Sequence, residues 1–148
     1  MFQLAESKIV INKHIGDVFL YITNMENFGQ WFPKVIKVKL STDKTVGEVG
    51  KVYLETVKMP LKGKVDISIE VKEFVKNKRF VTEGDLNPIF PRMTVLLKEK
   101  ENMVTHVIWR MESRNKGLLI KTFLLTFIKG IMQRRATQGL LNLKNVLE

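Results

Sequence analysis

Hydrophobic and polar residues alternate most cleanly over Lys64 to Phe74. There Val65, Ile67, Ile69 and Val71 take turns with Asp66, Ser68, Glu70 and Lys72. Successive side chains of a strand point to opposite faces, so this stretch predicts a strand with one dry and one wet side. The same period recurs along the chain. Residues 3–13 predict a first strand, with Ile9 and Ile11 on one face and Lys8, Val10 and Asn12 on the other. Val35 to Ser41 predicts a second, with Ile36, Val38 and Leu40 set against Lys37 and Lys39. Lys51 to Val57 predicts a third, with Val52, Leu54 and Thr56 on one face. After the Lys64–Phe74 strand come Arg79 to Asp85 with Phe80 and Thr82 inward, and Arg92 to Lys100 with Met93, Val95 and Leu97 inward. Met103 to Glu112 completes the set, with Thr105, Val107, Trp109 and Met111 inward. Turn-forming residues separate these runs: Gly47 and Gly50, Met59 to Gly63, Asn77-Lys78, the stiff Asn87-Pro88-Ile89-Phe90-Pro91 loop, and a Glu101-Asn102 hairpin.

Two stretches follow a helical period instead. After the first strand, Asp17 can cap a short helix over Val18 to Thr23, and a second short piece from Asn24 is stopped at Trp31-Phe32-Pro33. Gly117 to Glu148 contains no proline and predicts the dominant helix. Met132, Ala136, Leu140, Leu143 and Leu147 are spaced to share one face of it, with Gln133, Arg134, Gln138, Asn142 and Asn145 away from that stripe. In its first half, Ile120, Phe123, Leu124, Phe127 and Ile131 cluster on a nearly opposite face. Gly130 sits at the join, where a mid-helix glycine costs roughly 1 kcal/mol relative to alanine. Three outcomes are open: a bend near Gly130, an outward apolar face that meets a partner subunit or a membrane, or ordinary core packing.

Short connections between the later strands predict an antiparallel meander. The expected architecture is α+β: a seven-stranded curved antiparallel sheet, two short helices after the first strand, and a long C-terminal helix across the concave face, in one domain spanning residues 1–148. One helix is narrow beside seven strands, so a hollow between them is expected. Its lining would be Ile67, Phe80, Met93, Val95, Val107 and Trp109 from the sheet, with Phe123 and Phe127 from the helix. Plain packing accounts for these residues equally well. Trp31 and Phe32, with Phe90 across the mouth, read either as a gate or as anchors for the short helices. If this lining is right, Trp109→Ala weakens ligand binding more than Trp31→Ala.

Composition changes the picture little. At 148 residues the chain can bury a sizeable core. It has no cysteine, which excludes disulfides and thiol chemistry and fits a reducing compartment. No signal-like start is present, and the apolar run from Leu118 to Met132 is short and broken by Lys121 and Lys129, so a cytoplasmic location is expected. The net charge of +10 suits phosphates or an anionic membrane surface. The lysines are scattered, however, and no RNA-binding signature with paired aromatics occurs, so nucleic acid is not the expected partner.

Candidate chemistry is sparse. His14 falls in a loop and His106 on an outward face, and they offer no close metal-ligand pair. Glu83, Asp85, Arg110 and Glu112 also read outward, and Tyr53 is a weak exception of uncertain face. Gly47, Gly50 and Lys51 lack the spacing and the Ser or Thr of a phosphate loop. No catalytic set, cofactor or metal is expected from these residues, and whether the protein is an enzyme stays open.

The element order and several local motifs together resemble the helix-grip fold of the START-like, or SRPBCC, superfamily. This group includes the major birch-pollen allergen, lipid-transfer domains and polyketide cyclase-like proteins. Ile9-Val10-Ile11-Asn12 followed by Asp17-Val18-Phe19 resembles its first strand and helix, and Asn27 to Pro33 resembles its N-x-x-x-W-x-P segment. Val46-Gly47-Glu48-Val49-Gly50 is similar to the glycine-marked entry to its third strand, and Leu140-Leu141-Asn142-Leu143-Lys144 to its L-x-N-L-K ending. The polyketide cyclase/dehydrase-like and coenzyme Q-binding-like members look nearest. Pro88-Ile89-Phe90-Pro91 departs from the family's small-residue loop. The resemblance implies that a small hydrophobic molecule (a lipid, a quinone or a polyketide-like aromatic) is bound or carried between helix and sheet. Its alternatives are a cyclase- or dehydratase-like enzyme and a lipid or quinone chaperone in peripheral contact with an anionic membrane. A homodimer formed through residues 118–131 is a further expectation.

Overall fold

The computed structural model describes residues 1–42, 46–60, 62–115 and 122–148, and the side chains of Thr122 and Phe123 lie outside that description. In chain order the elements are β1 (Phe2–Ile11), α1 (Ile15–Thr23), a 3₁₀ turn (Met25–Asn27), α2 (Phe28–Trp31), β2 (Val35–Thr42), β3 (Val52–Met59), β4 (Gly63–Val75), β5 (Arg79–Gly84), β6 (Pro91–Glu101), β7 (Val104–Ser113) and α3 (Thr122–Leu147). Among the described residues, seven antiparallel strands form one sheet in the order β1-β7-β6-β5-β4-β3-β2. The expected helix-grip architecture is the one observed, with β1 and β2 as the two edges.

Helix α3 is seated on the β1 edge. Ala136, Leu140 and Leu143 are fully buried, and Leu147 nearly so. Polar side chains flanking that stripe bond the backbone of the edge strand. Gln133 Nε2 donates to the Glu6 carbonyl at 2.8 Å, Lys144 Nζ donates to that of Val10 at 2.7 Å, and Glu148 Oε2 accepts from Asn12 N–H at 2.8 Å. These bonds occupy backbone groups that an edge strand otherwise leaves open. The opposite edge, β2, is bulged on both sides of its centre and carries the exposed Lys37 and Lys39.

Several local expectations are corrected. In β2, Val35 and Val38 are buried while Ile36 and Leu40 are exposed, because a register shift between Val35 and Lys37 breaks the alternation. In β3, whose inward face the sequence left open, Tyr53, Glu55 and Val57 point inward, and Leu54 is 43% exposed. Thr56 belongs to the outer face, where its hydroxyl donates to Asp66 at 2.6 Å. Helix α1 starts at Ile15 rather than Val18. His14 caps it, accepting Gly16 N–H on Nδ1 at 3.0 Å, and Asp17 sits in the first turn. The hairpin between β6 and β7 turns on Asn102 and Met103, with Met103 at φ 65°, one residue later than expected. Helix α3 runs unbroken through Gly130.

The outer face of the sheet carries an ion-pair chain. Glu73 meets Arg79 at 2.7 Å and Arg92 at 3.0 Å, and Arg92 meets Glu83 at 2.7 Å. Arg110 pairs with Glu6 at 2.7 Å. Glu83 and Arg110, read outward from the sequence, thus serve to tie strands together.

Candidate functional site

The covered face of the sheet has two ends. At one, Phe80, Val95, Val107 and Trp109 are at most 1% exposed, packed beneath α1, α2 and the second half of α3. Phe32 fills this end from the side: its ring stacks on Trp109 at 4.9 Å and on Phe28 at 4.9 Å, with Trp31 edge-on at 5.8 Å. At the other end lies a cavity of about 560 Å³. Its floor is Ile67 and Ile69 of β4, Thr82 and Gly84 of β5, Met93 of β6 and Met111 of β7. Val57 and Met59 of β3 and Leu4 of β1 close its sides. Leu124, Phe127, Ile128, Ile131 and Met132 of α3 roof it.

Of the residues expected to line the hollow, Ile67, Met93 and Phe127 reach this cavity. Phe80, Val95, Val107 and Trp109 face the right way but belong to the buried core at the other end and do not line this cavity. The Phe123 side chain lies outside the described residues. Among the three gate residues, only Phe32 lines the cavity, from its inner wall, and it is buried rather than at a mouth. Trp31 is buried behind it, and its carbonyl accepts the Asn142 side-chain amide at 3.0 Å, which anchors α2 to α3. Phe90 is turned away. It has φ 45°, its N–H donates to the Leu86 carbonyl at 2.7 Å, and its ring lies 5.9 Å beneath the Arg114 guanidinium. Pro88, Ile89 and Pro91 of the same loop line the rim in its place. That rim is tied to the end of β7: Ser113 Oγ donates to the Ile89 carbonyl at 2.6 Å, and Asn115 Nδ2 donates to that of Pro88 at 2.7 Å.

One residue that the sequence reading did not single out defines the chemistry. Glu55 is the register partner of Ile67, so its side chain shares the covered face, and it is 6% exposed on the cavity wall. Among the described residues no group hydrogen-bonds or ion-pairs its carboxyl. Burial alone, with no cation close enough to oppose it, pushes this carboxyl from its ordinary 4.5 up to about 7. The signal that identifies Glu55 was present in the sequence. A tight Met59-to-Gly63 turn sets Val57 opposite Val65 and Glu55 opposite Ile67, and the inward face of β4 was unambiguous. Thr82 is the other buried polar residue of the wall. Arg135, whose guanidinium donates to the Lys58 carbonyl at 3.4 Å, also lines it, and partial burial lowers its pKa. Lys62 and Asp85 stand exposed at the mouth; Asp85 lies one residue past the end of β5, so strand parity does not govern it. Tyr53 points inward but lies off the cavity, and burial raises its phenol pKa.

Among the described residues no three His, Cys, Asp or Glu side chains converge on a metal-sized site, and no helix is long and apolar enough to cross a membrane.

Solved structures share this arrangement. A protein of Thermus thermophilus superposes with a TM-score of 0.76 at 13% identity, covering 97% of this chain and 95% of that one. A START superfamily protein of Mycobacterium smegmatis superposes with a TM-score of 0.76 at 10% identity, covering 97% and 95%. The di-domain ARO/CYC StfQ from the steffimycin biosynthetic pathway matches with a TM-score of 0.70 at 9% identity, covering 96% of this chain and 49% of that one. At such identities these likenesses show the fold alone. No curated protein matches the chain by sequence. A family match described as "Polyketide cyclase / dehydrase and lipid transport" runs over residues 3–148, nearly the whole chain, and the chain belongs to this family.

Proposed function

We propose that the protein binds or carries a small hydrophobic molecule in the cavity beneath the first half of α3. One observation carries this reading. About 560 Å³ of space is walled by Ile67, Ile69, Met93, Met111, Ile128 and Ile131, a volume and an apolar character typical of small-molecule sites. The family description, which joins enzymes acting on polyketides to lipid transport, supports the same class of guest. Native mass spectrometry of the purified protein, followed by denaturing extraction, tests it. A co-purifying lipid, quinone or aromatic is the expected result. A clean apo mass together with no fluorescence gain from N-phenyl-1-naphthylamine overturns it.

Glu55 favours a second reading, a cyclase- or dehydratase-like enzyme. A carboxyl that exchanges its proton near neutral pH, in a water-poor cavity, has the character of a general acid or base. Incubation with a β-hydroxyketone or poly-β-ketone substrate separates the readings. An enzyme releases one water per turnover and loses that activity in Glu55→Gln, whereas a carrier returns the substrate unchanged.

Transport at a membrane surface rests on the +10 charge and on Leu124 and Phe127, which are 50% and 57% exposed at the cavity roof. Co-sedimentation with anionic vesicles that weakens with salt is the expected outcome for such a carrier. The same patch is the part of the expected 118–131 dimer surface that lies among the described side chains, and a salt-independent dimer in sedimentation favours that use instead.

A further inference from the structure

Glu55 has no structural task in the protein as it stands. It is nine-tenths buried, it makes no hydrogen bond or ion pair among the described residues, and it faces open space rather than packed side chains. An acid left unpaired in an apolar wall destabilises a fold, and its neighbours supply no compensation. Tyr53 and Val57 flank it along β3, and Ile67 lies opposite on β4. Its carboxyl faces open space, so its partner comes from whatever enters the cavity, water in the empty protein or a polar group of a guest.

We propose that Glu55 is the polar anchor of the cavity and that its guest is an uncharged, largely apolar molecule bearing a hydroxyl or phenol that bonds this carboxyl. The inference rests on the reading of the cavity as a ligand site and names the chemistry that site selects. Three observations choose a hydroxyl over other groups. Since burial holds the proton on Glu55 toward neutral pH, the side chain offers one donor and one acceptor, and a hydroxyl is both. An anionic guest would place its charge against an acid in an apolar wall. A cationic guest would share the wall with the half-buried Arg135 and approach a protein of net charge +10. The charges at the mouth, Lys62 and Asp85, are exposed and of opposite sign, so water screens them and they select little. The remainder of the wall, Ile69, Met93 and Ile131 among it, takes only hydrocarbon.

Three probes of similar size test the assignment: 2-naphthol, 2-methylnaphthalene and 2-naphthylmethylamine, titrated at pH 6 by fluorescence into the full chain. The expected result is that 2-naphthol binds about tenfold tighter than 2-methylnaphthalene, the scale of one buried hydrogen bond left unmade. Glu55→Gln, which still donates and accepts, keeps most of that preference. Glu55→Leu binds the two within about threefold while still binding 2-methylnaphthalene, which shows its cavity intact. Equal binding of the two by the natural protein overturns the anchor but leaves the cavity reading standing. So does a preference that survives Glu55→Leu. Tightest binding of the amine overturns the hydroxyl and makes Glu55 a counter-ion. If no probe binds any form, the cavity reading fails, and the anchor with it.

Discussion

The two halves of helix α3 meet the same sheet in opposite ways. At Gly139 an added Cβ would stand 2.9 Å from the Phe32 ring, so the backbone presses directly onto the aromatic cluster. Gly130, nine residues earlier and therefore on the opposite side of the helix, is not part of the cavity lining, and an added Cβ there would meet nothing within 4 Å. Around Gly139 the small Ala136 lets the helix approach, Leu140 and Leu143 fill the gap, and the Gln133, Lys144 and Glu148 side chains fasten it to β1. Around Gly130 the helix overhangs the sheet with Leu124, Phe127, Ile128 and Ile131 above a void. Both halves carry ample apolar surface. What separates them is the seat: an element held close at one end, against an edge strand, stands off the strands farther along. A fold can therefore keep a cavity without weakening its core, because close packing is concentrated at one end and the cavity sits at the other.

The contrast has consequences that can be measured, the largest in the seated half. Leu143→Ala should cost about 3 to 4 kcal/mol in urea unfolding, as expected for a fully buried leucine in a close-packed site. Ile131→Ala, above the cavity, should cost about 1 kcal/mol, because its neighbours are already missing on one side. Similar costs for the two would erase the distinction between the halves.

Next in size is the cost of Glu55 itself. Its folded-state pKa, about 7, lies above its ordinary 4.5, so the folded form holds a proton that the unfolded chain has released. Its contribution is most favourable below about pH 4.5, is lost as pH rises toward 7, and stays lost above that. The full loss is about 3 kcal/mol, given roughly 1.4 kcal/mol per unit. Glu55→Gln should remove this loss, leaving the variant more stable than the natural protein at pH 8 and flattening thermal stability between pH 4.5 and 7. Glu6, held down first by its Arg110 hydrogen bond, and Glu148, held down by the Asn12 N–H and Lys144, act in the opposite sense. Their contributions are lost only as pH falls below about 4.5. A variant no more stable than the parent at pH 8 would mean that the carboxyl is hydrated and the cavity wet.

The glycine pair gives a smaller effect of opposite sign at its two members. Gly139→Ala should destabilise by about 2 kcal/mol, since the Phe32 ring must give way. Gly130→Ala should stabilise by about 1 kcal/mol, from helix propensity alone. The smallest effect belongs to the exposed roof: Phe127→Ser should leave stability within about 0.5 kcal/mol. If Phe127→Ser also leaves vesicle co-sedimentation unchanged, the roof is not the membrane contact.

Much of the fold could be read directly from the chain, because a period of two or 3.6 residues is local information. The faces of β4, β6 and β7 and the stripe from Met132 to Leu147 follow from side-chain spacing, and the motifs from Ile9 to Lys144 identify the family. The errors arose where spacing is interrupted or ambiguous. A bulge at Ile36 shifts β2, and β3 offers hydrophobic residues on both faces, so that only its pairing with β4 places Glu55 inward. The position of the void was not local information at all. Alternation states which way Trp109, Val95, Met93 and Met111 point, but not how far along the strand a neighbour stops filling the space. Trp109 and Met111 are successive inward residues of one strand, yet one is stacked on Phe32 and the other lines a cavity. The chain by itself determined the elements, their faces and the family. The tertiary structure alone decided where along the sheet the cavity lies, and so that the inward-facing Glu55 meets open space rather than packed side chains, because this depends on how closely α3 and Phe32 approach a sheet that is distant from them in sequence.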